Sequence, residues 1–146
     1  MNAVLCLSLL FTALAMSTGL AHAFELWNKI KLSAEEYRVV QQIYRGWALL
    51  GTVVLGSLIS TLVLTVLSRG RSKIFPLSLA AFLCMAATQL IFWTLTYPVN
   101  QQTVNWTVLP PAWLGLRTRW EYSHAASAAL ELVAFILLLV ANSRRA

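Results

Sequence analysis

The chain has 146 residues, of which 59% are hydrophobic and only 11% charged, far below the roughly 25% charge of soluble domains. This balance excludes an ordinary soluble enzyme and indicates an integral membrane protein. The net charge of +6 does not indicate a nucleic-acid binder, because the basic residues flank apolar segments instead of forming a patch.

Four segments, about 1–23, 46–68, 74–97 and 122–142, are long enough to cross a hydrocarbon layer that needs roughly 20 apolar residues. The first ends in Ala21-His22-Ala23, which imitates a signal-peptide cleavage site. It opens without Lys or Arg and stays apolar for about twenty residues, so a retained helix is expected. Cys6 and Cys84 fall inside apolar helices with no Cys-x-x-Cys pair and read as inert packing.

The loop 24–45 contains Ser33-Ala34-Glu35-Glu36, a capping box that starts a helix before the membrane. An unbroken helix over 34–68 follows. Its residues Ala48, Thr52, Gly56 and Ser60, four apart, suggest a small-residue packing seam. A tight turn, 69–73, leads to the helix 74–97. In the loop 98–121, Pro110-Pro111 offers a proline at a first helical position, which predicts a helix over 111–142. The expected fold is therefore all-α, a four-helix transmembrane bundle in one domain with helices at about 1–23, 34–68, 74–97 and 111–142. Two of these helices span about 50 Å at 1.5 Å per residue and would project past a hydrocarbon core of about 30 Å as an outer cap.

Arg69, Arg71, Lys73, Arg144 and Arg145 hold five of the eleven Lys and Arg in very short segments, while the other six are spread through two longer loops beside glutamates. By density, both termini are expected on the cytoplasmic side, and the long loops on the non-cytoplasmic side of a bacterial inner (plasma) membrane. All six tryptophans and all four tyrosines belong to the outer half. An aromatic belt normally forms at both surfaces, so one-sidedness suggests a shaped outer pocket.

Arg117, Glu121, His124, Ala128 and Glu131 recur in steps of four, three, four and three, one face of the last helix. Glu131 needs a partner or a proton in the membrane, and Gln89 lies at a similar depth. His22 and Glu25 leave the first helix at the level of Glu121 and His124. Two imidazoles and two carboxylates suggest a zinc or iron site, and His22 with His124 an axial pair for haem. The alternative is that the histidines act as hydrogen-bond partners or as a general base. Asn105-Trp106-Thr107 matches a glycosylation pattern but is a short match without other support.

Taken together, the residues resemble the anthrone-oxygenase-like family of small four-helix membrane proteins, much of which has no assigned function. The similarity runs over nearly the whole chain. It rests on His22-Ala23-Phe24-Glu25-Leu26-Trp27-Asn28-Lys29, Gln41-Gln42-Ile43-Tyr44-Arg45-Gly46-Trp47, Pro98-Val99-Asn100 with Asn105-Trp106, and Arg119-Trp120-Glu121-Tyr122-Ser123-His124. Trp27 replaces the proline of the family's Glu-Leu-Pro-Asn-Lys run. The resemblance implies oxidation of a phenolic tricyclic anthrone to a quinone by dioxygen without a dedicated cofactor. It implies His124 as base, oriented by Glu121, and Arg117, Arg119 or Arg45 to hold the phenolate. Trp106 and Trp120 would line a cavity completed by Asn28, Tyr44 and Asn100. The expected partners are the lipid bilayer and a hydrophobic aromatic small molecule, with the oligomeric state open. A second class, a non-catalytic membrane scaffold or subunit, makes the outer polar cluster structural. Transport ranks last, because 58–68 and 74–84 offer no polar path.

Overall fold

The computed structural model describes residues 1–144, so Arg145 of the expected basic tail lies outside the described residues. The helices are α1 (Asn2–Lys29), α2 (Ala34–Gln41), α3 (Gly51–Leu67), α4 (Phe75–Ile91), α5 (Tyr97–Gln102) and α6 (Trp113–Ser143), with no strand among the described residues. Four stretches, Asn2–Lys29, Trp47–Leu67, Phe75–Gln102 and Trp113–Ser143, are long and apolar enough to cross a membrane, with mean hydropathy from 1.8 to 2.2. Successive long helices pack side by side, and α6 returns to α1, closing a four-membered ring.

The bundle buries its smaller and more polar residues. On α1 the buried side chains are Leu5, Ser8, Thr12, Ala15, Gly19, His22, Leu26 and Lys29, alternating by three and four. On α6 the predicted stripe from Arg117 to Glu131 continues through Ala134, Leu138 and Ala141. This 3.5-residue period keeps two helices in contact along a left-handed crossing. Leu10, Leu55, Ile59, Leu83, Leu90 and Ile136 point outward. Small residues inside and branched aliphatics outside suit lipid contact, because apolar burial alone gives no drive for helix association there.

Several boundaries differ from those expected. The helix anticipated over 34–68 is broken: α2 ends in a 3-10 turn at Gln42–Tyr44, Arg45 is extended, and Gly46 takes φ +88° before a second 3-10 turn at Trp47–Leu50. A left-handed residue cannot continue an α-helix, and glycine adopts it without a Cβ penalty. The seam on α3 is offset for the same reason. Ala48 and Thr52 are exposed, whereas Ser57, Ser60, Thr61, Leu64 and Thr65 face inward. Gly56 does meet α1, since a methyl group there would lie 2.7 Å from the Phe11 ring. The last helix starts at Trp113, after Pro110-Pro111, and Trp113 N–H bonds Pro110 O in a preceding turn. Pro111 disfavours helical geometry at Pro110. The first helix runs past 23 to Lys29, and the third continues through a π-turn, Phe92–Thr96, into α5.

The capping box holds as expected: Ser33 N–H donates to Glu36 Oε2 at 2.9 Å and Glu36 N–H to Ser33 Oγ. The bonds from Ser33 hold the Glu36 carboxyl below its ordinary range.

α1 and α6 approach closely at Gly19, where an added methyl would sit 3.2 Å from Ala128 Cα and collide with the Glu131 carboxylate. Gly19→Ala should therefore destabilise the bundle by about 1–3 kcal/mol. Thermal unfolding in detergent checks this, and an unchanged midpoint would contradict the packing.

Candidate functional site

The α1 and α6 stripes end together at one end of the bundle, where α2 and the 103–112 loop cover them. Lys29, in the last turn of α1, is only 3% exposed. Its Nζ lies 3.1 Å from Glu121 Oε2 and 3.4 Å from Glu25 Oε2. Glu121 is fully buried, and its Oε1 accepts from the Tyr37 hydroxyl at 2.8 Å and from Gln41 Nε2 at 3.3 Å. A buried ion pair persists only when its remaining lone pairs are bonded in this way. Burial, followed by the Glu121 charge, pushes the Tyr37 phenol above its ordinary range, so it remains a donor at neutral pH.

Beside this knot the His22 and His124 rings stack, centroids 4.2 Å apart and planes 25° from parallel. Tyr44 lies 4.4 Å from His22, Trp47 5.5 Å and Trp120 5.1 Å. Trp120 also packs 4.2 Å from His124 and is fixed by its Nε1 donating to Asn100 Oδ1 at 2.8 Å. Lys29 Nζ stands 4.8 Å from the Tyr44 ring and 5.2 Å from the Trp120 ring, within cation–π range. Nearby, Val104, Asn105 and Trp106 all take positive φ, a backbone that L-residues adopt at a cost of about 1–2 kcal/mol each. The turn sends Trp106 inward, 4.9 Å from Tyr37 and 6.0 Å from Trp120.

The expected residues fall into two groups. His22, Glu25, Tyr44, Asn100, Trp106, Trp120, Glu121 and His124 converge at this end of the bundle, whereas the three arginines have other partners. Arg117 lies against Trp113 and Tyr37, and its Nη1 donates to Leu32 O at 2.7 Å, tying the α1–α2 turn to α6. Arg119 is exposed and donates to the carbonyl of Thr94. Pro98 brings no N–H to that turn, and the guanidinium supplies a donor there. Arg45 is exposed and bonds Gln42, and Asn28 is exposed on α1. Glu121 does not orient His124; it is occupied by Tyr37, Gln41 and Lys29. Nor does Gln89 pair with Glu131: Gln89 donates to Thr88 Oγ1 at 3.4 Å, and Glu131 faces Gly19.

The proposed metal and haem ligands do not fit. Among the described residues no three of His, Cys, Asp and Glu gather as an ion would require. Imidazole binds a metal in its ring plane, which stacked rings do not direct to one point, and a haem pair must stand on opposite faces of the macrocycle.

The residues missed from sequence are Lys29, Tyr37, Gln41 and Trp47. Lys29 had a signal, since it lies four residues from Glu25 and seven from His22 on the α1 heptad. No family model, curated protein or solved structure matches the chain.

Replacing Lys29 by methionine leaves Glu121 buried without a cation, at a cost of about 3–5 kcal/mol. Adding Glu121→Gln should restore most of the lost thermal stability in detergent. A single variant as stable as wild type would contradict the buried pair.

Proposed function

We propose that the chain is a membrane oxygenase of the anthrone-oxygenase-like kind, acting on a phenolic fused-ring molecule at the aromatic end of the bundle. The observation that carries this reading is the His22–His124 imidazole pair enclosed by Tyr44, Trp47 and Trp120 beside the buried Lys29 ammonium. Base, cation and aromatic wall are the three elements the reaction needs. The cation assigned to the phenolate is now Lys29, in place of the arginines.

In this mechanism His124 takes a proton from the activated methylene of the substrate, and the electron pair spreads to the phenolate oxygen held by Lys29. The carbanion carbon bonds dioxygen, giving a peroxide anion. That anion takes the proton back from His124, and the hydroperoxide loses water to leave a carbonyl. One methylene and one dioxygen give one carbonyl and one water, with no external reductant. His124→Ala should abolish quinone formation while the protein still inserts and purifies normally. Undiminished turnover in that variant would remove the mechanism.

A scaffold reading draws support from Arg117 and Arg119, both of which bond backbone carbonyls. It predicts that His124→Ala lowers stability and that no aromatic ligand restores it.

The basic turn Arg69–Lys73 and Arg144 are assigned to the cytoplasmic side, so that α2 and the 103–112 loop form an outer cap on a plasma membrane. After both native cysteines are replaced by alanine, Thr107→Cys should react with an impermeant maleimide in intact cells and Ser72→Cys only after lysis. The opposite pattern would reverse the topology.

A further inference from the structure

The aromatic enclosure already holds a phenol, that of Tyr44. Its hydroxyl donates to Glu25 Oε2 and accepts from Lys29 Nζ at 2.9 Å. Its ring lies 4.4 Å from His22, 5.0 Å from Trp47 and 5.9 Å from Trp120. This is the set of contacts a phenolic ligand would want: a cation and a carboxylate for the hydroxyl, and π-faces for the ring.

The tyrosine that makes these contacts stands on irregular backbone between two helices. Tyr44 ends one 3-10 turn, Arg45 is extended, and Gly46 has φ +88° with nothing within 4 Å of where a Cβ would sit. A glycine at positive φ with open space beside it is a low-cost pivot. Beside the Tyr44 ring, His22 Nδ1 is buried with no hydrogen-bond partner, on a residue that is 6% exposed. A buried orphan group at the edge of the slot calls for a partner.

We propose that the Tyr44 slot is the docking position for a ligand's phenol ring, whose hydroxyl replaces that of Tyr44 between Lys29 and Glu25 as Tyr44 swings out at Gly46. This rests on the phenolic substrate class proposed above. Tyr44 then acts as a resident competitor that keeps Lys29 and Glu25 bonded when no ligand is bound.

The test uses the full chain in nanodiscs with 1-naphthol and its methyl isostere, 1-methylnaphthalene. In protein carrying 3-fluorotyrosine, the ¹⁹F resonance missing from Tyr44→Phe protein identifies Tyr44. Saturating 1-naphthol should move that resonance to a solvent-exposed position, and 1-methylnaphthalene should leave it in place. Because displacing the tyrosine lowers apparent affinity, Tyr44→Ala should bind 1-naphthol about tenfold more tightly than wild type, with Tyr44→Phe between them. A Tyr44 resonance unmoved at saturation, or equal affinities in all three proteins, would overturn the proposal. Quinone formation from 1,8-dihydroxyanthrone with Tyr44 unmoved by it would sink this site and leave the oxygenase. Displacement of Tyr44 by 1-naphthol in protein that forms no quinone from 1,8-dihydroxyanthrone would sink the oxygenase and leave a phenol-binding protein.

Discussion

The contact between Lys29 and Glu121 is the constraint on which the upper end of the bundle depends. Moving one charge out of water costs several kcal/mol even after relaxation, and here an ammonium and a carboxylate are both buried, 3.1 Å apart. The pair persists because each member has further partners: Tyr37 and Gln41 on the carboxylate, Glu25 and Tyr44 on the ammonium. Those partners come from α1, α2 and the turn after α2, so one electrostatic knot sets where three segments sit against α6. The aromatic rings then pack around a fixed cation.

The same knot separates two kinds of interior. Below it, the ring of helices closes on Leu5, Ala15, Leu64, Ala81, Met85, Ala134 and Leu138, and hydroxyls such as Thr61 and Thr65 return their protons to carbonyls of their own helix. Above it, Tyr37, Val99, Trp106 and Trp120 form a second cluster. The lower part is apolar packing and the upper part holds the buried charges and aromatic rings, a division that suits the proposed reaction's need for a rigid frame and one movable side chain.

The membrane helices were legible because hydropathy and length are additive along the chain, and the α6 stripe because its period is strict. The break between α2 and α3 was not, since its cause is a single glycine whose positive φ is a tertiary choice. The arginines misled for a physical reason: a guanidinium is read as an anion holder, but Arg117 and Arg119 serve carbonyls left open by a turn and by Pro98. Lys29 was overlooked as a loop charge. Its burial requires α1 to continue through residue 27, and Trp27, with its N–H intact, permits the extra turn that a proline would disturb.

The most direct measurement is a high-resolution structure of the protein in a nanodisc with 1-naphthol bound. The expected complex has the naphthol oxygen between Lys29 Nζ and Glu25, the ring against His22 and Trp120, Tyr44 displaced, and Lys29 still paired with Glu121. A ligand held instead in the shallow cavity of about 360 Å³ between Arg38, Gln42, Arg45 and Thr107, with Tyr44 unmoved, would contradict it.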